Sequence, residues 1–177
     1  MCRSASILVA LVFSSFGSLL LAEDKTPAAP PKLAKGVYAV LRESLREKEV
    51  LPLKDGETLL VHRARYLKKD DKEPPRYVVV RSTPDVALDL VGAPKAVKEG
   101  DEVVRILLKL APRAATALED LTSKRVGGQV AIVIGGEVVT MHKIRGVIRG
   151  GDVQISSCTP GAAGYLLEQL AFTPEKK

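Results

Sequence analysis

The chain has no tryptophan, only three Phe and four Tyr among 177 residues, two Cys and two His. Each shortage excludes a class. Single-stranded nucleic acids are usually held on aromatic stacking platforms, and 4% aromatic content leaves little to build one from. His62 and His142 have no acidic or cysteine residue around them at a recurring ligand spacing, so neither a metal site nor another cofactor is expected. After Ala22 no stretch reaches 18 consecutive apolar residues, which leaves nothing there to span a bilayer as a helix. What the chain does have is 46% apolar residues, enough for a core, and 27 Lys plus Arg against 21 Asp plus Glu, a formal charge of +6.

Residues Ile7 to Ala22 form a nearly continuous apolar run behind Arg3, followed by Glu23, Asp24 and Lys25. The run is interrupted by Ser14, Ser15, Gly17 and Ser18 and reads as a signal peptide over 1–22, with cleavage expected after Ala22. Membrane contact is expected only if that segment is retained, and the mature protein is expected to be periplasmic or secreted. Cys2 lies before the apolar run rather than after it, so no lipid attachment site is read there. Cleavage leaves Cys158 alone, and a lone cysteine cannot form an internal disulfide. Residues 23–35, with Pro27, Pro30 and Pro31, read as a Pro/Ala-rich tether.

The fold is expected to start near Gly36, with a β-rich extension over 36–76 and a second part over 77–172. Val37 to Leu41 reads as a strand, although Leu33, Val37, Leu41 and Leu45 also recur at helical spacing. Strand-like runs at Thr58 to Leu67 and Tyr77 to Arg81 suggest a hairpin around a charged loop, Lys68 to Pro75. Pro94 to Gly100 reads as a loop. Val104, Ile106, Leu108 and Leu110 alternate with Arg105 and Lys109 as a half-buried strand does. Pro112 suits a first helical turn, and Ala114, Leu118 and Leu121 continue an apolar stripe. Val130 to Ile134 is apolar on both faces, and Gly135-Gly136 signals a tight turn into Val138 to Met141. A further strand carries Val153 and Ile155. Thr159 then offers an N-cap oxygen to a helix that opens on Pro160 and bears Ala163, Leu166, Leu167 and Leu170.

That element order carries a family resemblance over about residues 77–171. Arg81-Ser82-Thr83-Pro84-Asp85-Val86, the helix end Leu118-Glu119-Asp120-Leu121-Thr122, the run Val130 to Val139 across Gly135-Gly136, and Ile148-Arg149-Gly150-Gly151 to Ile155 resemble the head of the first periplasmic domain of SecD, a subunit of the Sec export machinery. The sequence departs from the family pattern at Gly135, His142 and Ser157, where Asp, Pro and Gly are usual. The resemblance implies an α+β fold, mostly antiparallel sheet with two helices packed on one face. It also implies a non-enzymatic role in binding a polypeptide or a component of the export machinery.

Two other readings compete. Cys158 before a helix start, with His142 as base, supplies the minimum of a thiol-dependent enzyme. Lys124, Arg125, Lys143, Arg145 and Arg149, against the single acid Glu137 in that stretch, give a basic face by which a structural envelope protein could bind an anionic partner. Of these, Lys143, Arg145 and Arg149 are the candidate partner-binding residues.

Overall fold

In the computed structural model the residues described are 33–63 and 74–171, Ser157 by its backbone only. The described residues all belong to one compact unit. The apolar run expected to be a signal peptide and most of the expected tether lie outside the described residues. In chain order the described strands are β1 (Gly36–Ala39), β2 (Arg42–Ser44), β3 (Glu57–His62), β4 (Arg76–Arg81), β5 (Val86–Ala87), β6 (Lys95–Glu99) and β7 (Val103–Lys109). Helix α1 (Pro112–Lys124) follows, then β8 (Gln129–Ile134), β9 (Glu137–Lys143), β10 (Asp152–Cys158) and helix α2 (Pro160–Leu170). Every pairing among them is antiparallel, in three sheets ordered β5-β1-β8-β9, β10-β7-β6 and β2-β4-β3. The fold is α+β, as expected.

Strands β1 and β8 explain the two-sided apolar run at Val130 to Ile134. On one face Val37, Ala39, Val130, Ile132 and Ile134 enter a core with Val104, Ile106 and Leu108 of β7. Both helices bury into that same core, through Ala114, Leu118 and Leu121 and through Ala163, Leu166 and Leu170. On the other face Tyr38, Ala131, Val133 and Val138 pack with Leu60, Val78 and Val80 of the β3–β4 hairpin. A strand buried on both sides needs apolar residues at consecutive positions. The helical spacing of Leu33 and Val37 is not used, since these two residues enter different cores.

The local signals act as their chemistry requires. Gly135 and Gly136 both have positive φ, +64° and +84°, as a two-residue hairpin turn demands. The Thr159 Oγ1 accepts from the Ala162 N–H at 3.3 Å and caps α2. Strand β3 ends at His62; residues 64–67 of the expected run, and most of the charged loop after it, lie outside the described residues. Pro94 to Gly100 is corrected from loop to strand, for β6 pairs with β7 over Lys95 to Glu99. All five of its residues are exposed, so no alternating pattern marks it, and its backbone pairing alone makes it a strand. Among the described residues no helix is long and apolar enough to cross a membrane.

Candidate binding surface

The basic residues that precede β8 and those that end and follow β9 are brought together by main-chain bonds. The Ile144 N–H donates to Gly128 O at 2.9 Å, and the Gly127 N–H donates to Ile144 O at 2.8 Å. Ile144 itself is buried, so these bonds tie the turn after Lys124 and Arg125 to the segment holding Lys143 and Arg145. Lys143 and Arg145 are exposed and make no ion pair with a described residue. Arg149 differs, because its Nε lies 3.0 Å from Glu119 Oε1 on α1, an acid the sequence reading did not set against it. Glu137, the acid that was, begins β9 opposite Ile134, while Lys143 ends it opposite Gln129. At about 3.4 Å per residue the hairpin separates them by its own length.

Unbroken alternation along β9 would put His142 on the same strand face as Val138 and Thr140. It shares a face with Thr140 only, whose Oγ1 lies 3.2 Å from His142 Nε2. The register shifts between Ile132 and Val133, so that Val139 is the extra residue of a bulge. A bulge reverses the alternation beyond it. Val138 therefore faces the β3–β4 hairpin, while His142, opposite Val130, lies toward the helix side.

That placement puts His142 on the lining of two clefts. One, of about 240 Å³, is lined by His62, Arg76, Gln129, Thr140, Met141, His142 and Lys143. The other, of about 220 Å³, is mostly apolar: Val37, Leu118, Val130, Ile132, Ile148 and Val153 line it, with His142, Asp152 and Gln154 at polar positions. Ile148, 38% exposed, stands where its N–H donates to Thr122 Oγ1 at 3.0 Å. Strand β10, which supplies Asp152 to Gln154, is paired on one side only among the described residues. An edge strand beside an apolar recess can take an extended chain, whose backbone pairs with the edge and whose side chain fills the recess.

The thiol-enzyme pair is not assembled in this way. Cys158 is 1% exposed inside the main core, and its burial pushes the thiol pKa up, away from the thiolate a nucleophile needs. It pairs with Val104 at the end of β10, in a different sheet from His142, and lines neither cleft that His142 lines. Burial likewise pushes the His142 pKa below the ordinary imidazole range. Among the described residues no three His, Cys, Asp or Glu are grouped to hold a metal ion. What sequence reasoning missed is that His62 and His142 line one cleft. The one available signal was that His62 ends one apolar strand and His142 stands next to the end of another, and the packing of β3 beside β9 is not written in either.

No curated protein matches. Among solved structures, one similar chain is SecDF, a membrane component that enhances protein export; identity is 22% and the TM-score 0.49, over 78% of this chain and 62% of that one. Another is SecDF crystallised in a super-membrane-facing form, with 22% identity and a TM-score of 0.49 over 76% of this chain and 18% of that one. The chain thus spans less than two thirds of the length of either. The family described as SecDF, P1 head subdomain matches residues 58–170, beginning at β3 rather than at the Tyr77 from which the resemblance was read. With that match over well over half its length, the chain belongs to the SecDF P1 head subdomain family.

Proposed function

We propose that the protein is an exported, periplasmic, non-enzymatic binding module that holds extended polypeptide for the export machinery. The observation that carries this reading is the one-sided pairing of β10 beside the apolar cleft of Ile148 and Val153. A polypeptide laid along β10 gains main-chain hydrogen bonds and buries one apolar side chain, while Lys143, Arg145 and Arg149 form a basic rim that favours acidic neighbours. Residues 1–22 serve as the leader and 23–35 as the tether. From the extension, β1 pairs with β5 and β8 and so completes the sheet of the head. Membership of the SecDF P1 head subdomain family supports a part in protein export.

The test is binding of a fluorescent, carboxymethylated unfolded polypeptide to the mature protein, read by anisotropy. Ile148→Lys places a charge in the cleft from a partly exposed position and should weaken binding by about tenfold, roughly the transfer free energy of one lost apolar contact. Raising salt should weaken it only modestly. Unchanged binding by Ile148→Lys, with the folded state intact, would refute the reading.

A further inference from the structure

The register of β10 determines which of its main-chain groups are open. In an antiparallel pair, residues that exchange both hydrogen bonds alternate with residues whose N–H and C=O point away from the partner strand. The Leu110 N–H donates to Gly151 O at 2.9 Å, so Gly151 is turned toward β7. Along the register, Val153 opposite Leu108 and Ile155 opposite Ile106 are turned the same way. Lys109 gives the same phase from the other side, because its carbonyl accepts from the Val91 N–H at 2.7 Å and so faces away from β10. Asp152 and Gln154 therefore direct their N–H and C=O groups to the open edge, where no described strand pairs with them. The register shifts beyond Ile155, so the regular part of the edge ends with these two residues.

So short an edge takes a short segment. Antiparallel pairing is slightly the more stable per residue. A chain laid that way sets its first residue opposite Gln154, its second opposite Val153 and its third opposite Asp152. Residues directly opposite share a face. The second side chain thus points with Val153 toward the apolar cleft, while the first and third stand on the outer face with Gln154 and Asp152, both exposed. The Asp152 carboxylate is 76% exposed even with Lys109 Nζ at 2.9 Å, which leaves room for a second cation across the edge. We infer that the segment captured on β10 is antiparallel, with an apolar second residue and a lysine or arginine directly after it. Its first and third residues give their N–H groups to β10, which excludes proline at both, whereas the second turns its N–H outward. The chain then runs on past Gly151 toward Arg149, so the basic rim meets residues beyond the third. This inference rests on the reading of β10 as a polypeptide-binding edge and adds the pattern that the edge selects.

The test is titration of a fluorescent, end-capped heptapeptide with Ser-Leu-Lys at its centre into the mature protein, read by anisotropy. N-methylation of the Ser or the Lys amide should weaken binding by about tenfold, the worth of one hydrogen bond, and N-methylation of the Leu amide should not. Glu in place of Lys should weaken it about threefold. In hydrogen exchange the Asp152 and Gln154 amides should be fast in the free protein and about tenfold slower at nine-tenths saturation, when only the free tenth exchanges. Val153 and Ile155, bonded to β7, should be slow in both. Gln154→Pro removes an outward donor and no ladder bond, so it should keep the urea melt and lose about tenfold in binding; if it unfolds the protein, the peptide series decides. Equal effects of N-methylation at all three residues, or a preference for Glu, overturn the inference and leave the β10 reading standing. So does binding of the carboxymethylated polypeptide without binding of the heptapeptide. Slow exchange at Asp152 and Gln154 before peptide is added would put a second copy of the chain on the edge and overturn it too. Failure of both the polypeptide and the heptapeptide to bind refutes the β10 reading and the inference together.

Discussion

Gly36 lies against Pro84 so closely that a β-carbon on the glycine would sit 2.4 Å from the proline Cβ and 2.9 Å from the Val86 carbonyl oxygen. Pro84 belongs to the segment Arg81 to Val86 that carries the start of the family resemblance, and Asp85 in that segment accepts the Ala39 N–H at 2.8 Å. The segment thus clamps β1 at both ends. Gly36→Ala should destabilise the protein by about 1–3 kcal/mol through overpacking. Urea melts check this, and wild-type stability would show that the segment yields.

Helix α2 offers a contrast between packing and capping. Leu166 is fully buried and Leu167 only half-buried, so Leu166→Ala should cost about 2–5 kcal/mol and Leu167→Ala less. Thr159→Ala removes the cap and should cost about 1 kcal/mol. Equal losses at Leu166 and Leu167 in urea melts would contradict the docked orientation.

Glu57 ties the start of β3 to β2. Its carboxylate accepts from Arg42 Nη1 at 3.0 Å and Nη2 at 2.6 Å and from the Lys54 N–H at 2.9 Å. The Arg42 hydrogen bond, with the Lys54 bond second, lowers its pKa from 4.5 to about 2. A depressed carboxylate pKa gives stability that is complete above the unfolded value and lost as pH falls through the folded one. Stability should therefore decline as pH drops from about 4.5 toward about 2. Glu57→Gln should flatten that decline in melts recorded across the window, and an unchanged slope would assign it to other carboxylates.

Cys158 should be a slow thiol. Burial raises its pKa and closes access, so native protein should react with iodoacetamide far more slowly than urea-unfolded protein. Cys158→Ala should leave polypeptide capture intact. Rapid alkylation under native conditions would restore the thiol-enzyme reading.

Strands with a strong pattern were legible: the alternation of Val104 to Leu110, the two-sided run Val130 to Ile134 and the capped helix after Thr159 all stand where their periodicity puts them. Strand β6 was not, since Lys95 to Glu99 bury nothing and leave no trace in the order of apolar and polar residues. Of the site, the basic cluster was legible as composition. The partner of Arg149 was not, because Glu119 lies on a helix surface thirty positions away. Nor was the face of His142, which depends on one bulged residue at Val139 that no side-chain pattern announces.

Strand β1 fills the space between β5 and β8, yet it pairs Gly36 with Val133. Those partners are roughly a hundred residues apart, a separation that makes pairing slow because so much chain must be gathered before any bond forms. The β8–β9 hairpin, joined by two glycines, can close early. In synthesis from the amino terminus β1 is made before β8 and waits for it, its apolar residues open to whatever binds unfinished chains. The central sheet is thus completed only when residues from opposite ends of the described chain have both been made.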